Sequence, residues 1–176
     1  MGRSRYKFHE NYYPYFVTSS IVGGLPLFMN PALTDIILKA MSYMQEKNKV
    51  ILNAYVIMPN HIHMIAEHSR LPVMLRRFKS YTARSIIDYL ESHDKQWYIA
   101  QLKSRKIRNH RDSTHQVWQE GVHPKQLFTR EMAMQKAEYI HYNPVTAGFV
   151  DSPTQWRCSS ARNYAGKEGL IPVHLF

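Results

Sequence analysis

The alternation of apolar and polar positions predicts strands and a helix in the first third of the chain. Aromatic and β-branched residues at positions 13–22 predict a first strand, which ends at a glycine pair. Asn30 and Pro31 then provide an N-cap and a proline at the first helical position, and apolar residues recur at helical spacing to about Lys47. Residues 50–58 alternate again and predict a strand whose even-numbered residues form one apolar face.

A tight turn at Pro59 and Asn60 leads into a further alternating segment, which ends at Ala66. Its even-numbered residues are apolar, whereas the opposite face carries His61 and His63. The two segments predict an antiparallel hairpin with one face on the core. We expect both histidines to lie on the other face, where a ligand can reach them.

Helical spacing returns at residues 71–90, where the predicted buried side includes Tyr81 and the remaining positions carry basic residues. Residues 93–115 are polar and lack periodicity, so they predict a basic insertion or loop. Residues 117–128 fit a strand or an irregular hairpin, bent at a glycine and a proline.

A last long helix should begin at Thr129, whose hydroxyl can cap it, and end near Tyr142 because Pro144 follows. Residues 145–176 predict a tail of short elements packed on the core. The order β-α-β-β-α-β-α predicts one α+β domain over residues 1–176. We expect a ferredoxin-like antiparallel sheet with helices on one face and an additional C-terminal helix.

Charge is the unusual part of the composition. Lys and Arg number 23 against 13 acidic residues, which gives a formal net charge of +10 over 176 residues. Such an excess favours a polyanionic partner, most simply nucleic acid. The single cysteine, Cys158, excludes an internal disulfide, and no segment is typical of a signal peptide or a membrane span. We therefore expect a cytoplasmic protein without a membrane partner.

Two pairs of residues carry candidate chemistry. His61 and His63 point the same way from one strand, roughly 7 Å apart, and can share a metal ion. Tyr139 and Asn143 are four residues apart and lie on one face of a helix. Together they could form a site that cuts phosphodiesters. Taken separately, the histidines could be polar surface residues, Tyr139 a packing residue and Asn143 a turn residue.

The sequence motifs around these pairs resemble those of a known family. YVIMPNHIHM at residues 55–64, WQEGVHP at 118–124, KAEYIHYNPV at 136–145 and WRCSSARNY at 156–164 occur in the order seen in HUH single-tyrosine transposases. They are most similar to the branch associated with repetitive extragenic palindromes, the REP-associated tyrosine transposases. Thr146 and Cys158 depart from that pattern, at positions where a basic residue and a tryptophan are frequent.

The resemblance implies a function and a role for each residue. His61, His63 and Asn143 would ligate a divalent metal, Mg²⁺ or Mn²⁺, and Tyr139 would be the nucleophile. The substrate would be single-stranded or hairpin DNA, joined to the protein through a covalent 5′-phosphotyrosine. The sequence leaves open whether one chain or a homodimer completes the site. It also leaves open a non-cleaving hairpin-binding protein and a phosphodiesterase that uses metal-bound water.

Candidate phosphate contacts come from the helix at residues 71–90 and from an acid-free basic run at residues 103–111. Solubility alone would also explain these basic side chains. They are Arg76, Arg77, Lys79, Arg84, Lys103, Arg105, Lys106, Arg108 and Arg111.

Overall fold

The computed structural model describes residues 13–106, 114–122 and 124–176. Short 3₁₀ turns occupy Val22–Gly24, Leu27–Met29 and Pro153–Gln155. In chain order the strands and α-helices are β1 (Tyr15–Ser20), α1 (Pro31–Glu46), β2 (Ile51–Met58), β3 (His61–Glu67), α2 (Leu71–Ser92), α3 (Gln96–Ser104), β4 (Lys125–Gln126), α4 (Arg130–Thr146) and α5 (Ala161–Tyr164).

The strands form one antiparallel sheet in the order β2-β3-β1-β4. The predicted hairpin of β2 and β3 is confirmed, with its turn at Pro59 and Asn60. β1 lies beside β3 in a register that pairs Thr18 with His63. The predicted α+β fold with an antiparallel sheet is therefore confirmed.

Helices cover both faces of this sheet. α1 and α2 pack on the face that presents Ile62, Met64 and Ala66. The additional helix α4 packs on the other face. There, its residues Ala133, Ala137 and Ile140 join a second core with Ala54, Val56, Met58 and Ile65.

The prediction of a single apolar face on β2 was wrong. The pairing with β3 shifts register between Leu52 and Ala54, so the alternation slips by one residue. Leu52, Tyr55 and Ile57 therefore belong to the core beneath α1 and α2. Ala54, Val56 and Met58 face α4 instead. Almost the whole strand is buried, because a core lies against each of its two faces.

Two predictions in the middle of the chain were also wrong. Tyr81 is 61% exposed, because the buried stripe of α2 continues from Phe78 in steps of four through Thr82 and Ile86. Within residues 93–115, predicted as a loop, the segment Gln96–Ser104 is helical. The fully buried Leu102 and the partly buried Tyr98 and Ile99 pack this short helix against the core.

The cap of α4 is as predicted, but its end is not. The Thr129 hydroxyl accepts a hydrogen bond from the Met132 amide at 3.2 Å. The helix continues through the buried Pro144 to Thr146, because a proline removes only one amide donor from an otherwise continuous helix. The amide of Ala147 still donates to the Asn143 carbonyl at 3.0 Å. Asn143 therefore stays within the helix, one turn after Tyr139.

Residues 145–176 run back along β2, which is an edge strand of the sheet. The Ile57 amide donates to the Cys158 carbonyl, and the His174 amide donates to the Leu52 carbonyl. These contacts use backbone groups that an edge strand leaves without a neighbouring strand. In the part of the chain that the structure describes, no helix is both long and apolar enough to cross a membrane.

Candidate active site

Strand β3 and helix α4 bring the four predicted site residues together in one chain. The ring centroids of His61 and His63 lie 4.8 Å apart, and the Tyr139 ring lies 5.6 Å from the His63 ring. Asn143, one helical turn further, forms a side-chain hydrogen bond with His61. The spacing of Tyr139 and Asn143 on α4 therefore matches the spacing of the two histidines on the strand below.

The two histidines differ in accessibility. His61 is partly exposed, but only 6% of the His63 surface is accessible. The Phe16 ring stacks on His63 at 5.2 Å, and Tyr139 covers another side of the same imidazole. The expectation that both histidines are open to a ligand was wrong for His63, because α4 covers this face of the sheet.

Burial keeps both imidazoles neutral. Desolvation, repulsion from His61 and repulsion from the Lys136 ammonium together lower the pKa of His63 from 6.5 to about 3. Desolvation also lowers the pKa of His61, although the hydrogen bond with Asn143 acts in the opposite direction. The neutral imidazole is the form that ligates metals.

Each imidazole has a hydrogen-bond partner at Nδ1. Thr18 Oγ1 lies 2.8 Å from His63 Nδ1, and Asn60 Oδ1 lies 2.7 Å from His61 Nδ1. A carboxamide oxygen can only accept, so this contact favours the tautomer of His61 with its hydrogen on Nδ1 and its lone pair on Nε2. Partners of this kind orient histidine ligands in metal sites.

Sequence reasoning missed both of these partners. Asn60 was interpreted as a turn residue only. Thr18 meets His63 through the register of β1 against β3, for which the sequence carries no local signal.

The donor set fits a divalent cation. Among the described residues, no three His, Cys, Asp or Glu side chains are arranged to hold a metal ion. A metal at this site would therefore need an amide oxygen from Asn143 beside the nitrogens of His61 and His63. Imidazole nitrogen suits Mn²⁺ better than Mg²⁺, which prefers oxygen ligands.

Two further residues complete the surroundings of Tyr139. The Lys136 ammonium lies 4.9 Å from the centre of the Tyr139 ring and 5.2 Å from that of Phe16. Phe16 also meets Tyr139 edge to face at 5.9 Å. The sequence signal for Lys136 was its position three residues before Tyr139, on the same helical face. The sequence carries no such signal for Phe16, because the pairing of β1 with β3 brings its ring to the site.

The predicted phosphate contacts do not form one cluster. Arg76 and Arg84 line a groove of about 750 Å³ between α2 and residues 114–122, and Arg84 pairs with Asp88 at 2.9 Å. Arg77 is exposed on α2. At the end of α3, Lys103 and Arg105 are exposed and Lys106 is partly buried. Arg108 and Arg111 lie outside the described residues.

Lys79 has a structural contact instead. Its ammonium donates to the carbonyls of Gln119 and Gly121, both at 2.9 Å. Burial lowers the pKa of Lys79 to about 8. Lys79 therefore fastens residues 119–121 to α2, at the wall of the same groove.

Comparison with known proteins identifies the fold. No family model matches the chain, and no curated protein is similar to it. The structure of a REP-associated tyrosine transposase bound to a REP hairpin is similar with a TM-score of 0.70, covering 98% of this chain and 89% of that chain at 16% identity. A candidate transposase from Deinococcus radiodurans R1 has a TM-score of 0.44, covering 80% and 95% at 16% identity, which is too low to carry an argument. At these identities the likeness concerns the fold.

Proposed function

We propose that this protein is a metal-dependent tyrosine transposase that nicks and rejoins single-stranded DNA at hairpins. The observation that carries the proposal is the meeting of Tyr139 with two neutral histidines and Asn143 in one chain. The net charge of +10 favours a nucleic-acid substrate. The shared fold with a protein whose structure contains a REP hairpin favours a hairpin as the substrate.

Tyr139 is suited to act as the nucleophile because it is 47% exposed beside the buried His63. Its phenolic oxygen, after losing its proton to water, would attack a DNA phosphorus atom. The bond from phosphorus to the 3′-oxygen would break, and that oxygen would leave with the electron pair and take up a proton. A 5′-phosphotyrosine and a free 3′-hydroxyl would remain, so the phosphoester bond is kept for rejoining.

His61, His63 and Asn143 would hold the divalent cation, which supplies positive charge for the non-bridging phosphate oxygens. All three side chains are neutral, so they would leave that charge undiminished. Thr18 and Asn60 would hold the two imidazoles in orientation. Phe16 and α4 would exclude water from His63.

The test is adduct formation on a labelled DNA hairpin with single-stranded flanks. The wild type should form a covalent protein–DNA adduct with Mn²⁺, more slowly with Mg²⁺, and none in EDTA. Tyr139→Phe should abolish the adduct, and His61→Ala should slow it by at least about 100-fold. Tyr142→Phe is the matched control, because Tyr142 lies on the same helix and is 49% exposed.

Each alternative has its own result. Hairpin binding with no adduct under any metal condition would assign a non-cleaving binding protein. Cleavage by Tyr139→Phe at the wild-type rate, with activity lost in His61→Ala, would assign a phosphodiesterase that uses metal-bound water. Either result would overturn the proposal.

A further inference from the structure

Within the ranges that the structure describes, Lys136 is a cation of the candidate site without an acidic partner. Among the described residues the ion pairs join Lys39 to Asp35 and Arg84 to Asp88, so no carboxylate neutralises Lys136. Its side chain is partly buried on α4. The ammonium lies over the rings of Phe16 and Tyr139, at 5.2 Å and 4.9 Å from their centres. Both distances are within the range of cation–π attraction.

Phe16 fixes the position of this ammonium. The ring stacks on His63 with an interplanar angle of 27° and meets Tyr139 edge to face at 76°. It therefore contacts the nucleophile, one candidate metal ligand and the lysine at once. Contact with both the Phe16 and the Tyr139 ring restricts the Lys136 side chain before a ligand binds. Lys136 therefore loses less conformational entropy on binding and is preorganised.

The electrostatics of the site call for an anion beside this lysine. The Lys136 ammonium lies 4.9 Å from the centre of the Tyr139 ring, and the aromatic groups that Tyr139 faces in the site are the Phe16 ring and the His63 imidazole, not carboxylates. Rings attract an ammonium but do not neutralise it, and partial desolvation strengthens the attraction of that ammonium for an anion. A phosphate approaching the Tyr139 oxygen would bring the missing negative charge.

Resting on the proposed function, we infer that Lys136 is a catalytic residue that binds a non-bridging oxygen of the phosphate attacked by Tyr139. In the attack the new bond joins the Tyr139 oxygen to phosphorus, and the 3′-oxygen leaves. Lys136 donates a hydrogen bond to that oxygen and stabilises the charge on the phosphoryl oxygens. Lys136 and the cation held by His61, His63 and Asn143 would then act on the same phosphate.

The test compares Lys136→Met, Lys136→Arg and Lys47→Met. Lys47 is exposed at the end of α1, so Lys47→Met removes the same charge away from the site. The first measurement is the single-turnover rate of adduct formation at saturating hairpin DNA with Mn²⁺. The second is the salt dependence of DNA binding, measured in the Tyr139→Phe background so that no DNA is cleaved.

Lys136→Met should slow adduct formation by about 100-fold, the size expected when one group that stabilises an oxyanion is lost. It should also lower the slope of log affinity against log salt by about 0.7, equivalent to one phosphate contact on a single strand. Lys136→Arg keeps the charge and should stay within about tenfold of the wild-type rate. Lys47→Met should leave the rate unchanged.

Two results would overturn the inference. An adduct rate for Lys136→Met within about threefold of the wild type would overturn this inference alone, because the wild type would still form the adduct. Absence of any adduct from the wild type would overturn the proposed function and the inference together.

Discussion

Acidification from about pH 7 to about pH 5 should lower the free energy of unfolding. The contribution of His141 to this loss can be measured separately by replacing that residue. His141 lies on the buried side of α4, its Nε2 is 2.8 Å from Ser160 Oγ, and its ring packs against Tyr164. Burial lowers the pKa of His141 from 6.5 to about 4. Between pH 6.5 and about pH 4, His141 is therefore protonated in the unfolded chain but neutral in the folded chain.

The sign and size follow from that difference. The stabilisation by neutral His141 is fully present above pH 6.5 and is lost as the pH falls from 6.5 towards 4. Each pH unit below 6.5 removes about 1.4 kcal/mol of this stabilisation. At pH 5, which lies one and a half units lower, the loss is therefore about 2 kcal/mol. That is a sizeable part of the stability of an ordinary domain.

The assay is urea unfolding of the wild type and of His141→Gln at both pH values, in EDTA, followed by circular dichroism. Glutamine keeps a hydrogen-bonding side chain but does not titrate. Because the substitution itself changes the free energy of unfolding, the quantity compared is the loss between the two pH values. That loss should be smaller by about 2 kcal/mol in His141→Gln. Equal losses in the two proteins would refute the assignment of this acid sensitivity to His141.

Two further predictions concern Thr18 and Lys79. Thr18→Val removes the hydroxyl beside His63 Nδ1 and should weaken Mn²⁺ binding at least about tenfold, measured by titration calorimetry without DNA; unchanged affinity would contradict the positioning role. Lys79→Met leaves the carbonyls of Gln119 and Gly121 without their donor. It should destabilise the fold by about 2 kcal/mol in urea while preserving the salt dependence of DNA binding, and a smaller salt slope would instead indicate a phosphate contact.

Local signals explain which elements the sequence could predict. Asn30 and Thr129 cap their helices through their own side chains, and the turn at Pro59 and Asn60 joins two strands with period-two alternation. All of these interactions lie within a few residues along the chain. The same locality placed Tyr139 and Asn143 on one face of α4, and it placed His61 and His63 on one face of β3.

What was missed depends on contacts between distant residues. The register shift after Leu52 is set by pairing with β3, and the place of Phe16 is set by pairing of β1 with the same strand. The two carbonyl partners of Lys79 lie some forty residues along the chain. A basic side chain in a helical pattern is interpreted as a solvent contact unless such a partner is known.

Besides Ile140, the contact face of α4 carries two small residues, Ala133 and Ala137, which share one core with Ala54 and Val56 of the sheet. Three of these four side chains are single methyl groups, so the helix backbone approaches the strand closely. The size of the side chains between α4 and the sheet therefore sets the distance of the Tyr139 hydroxyl from the two imidazoles. A bulkier residue under α4 would move the whole helix away from the sheet. Tyr139 and Asn143 would move with the helix, whereas the histidines on β3 would stay in place.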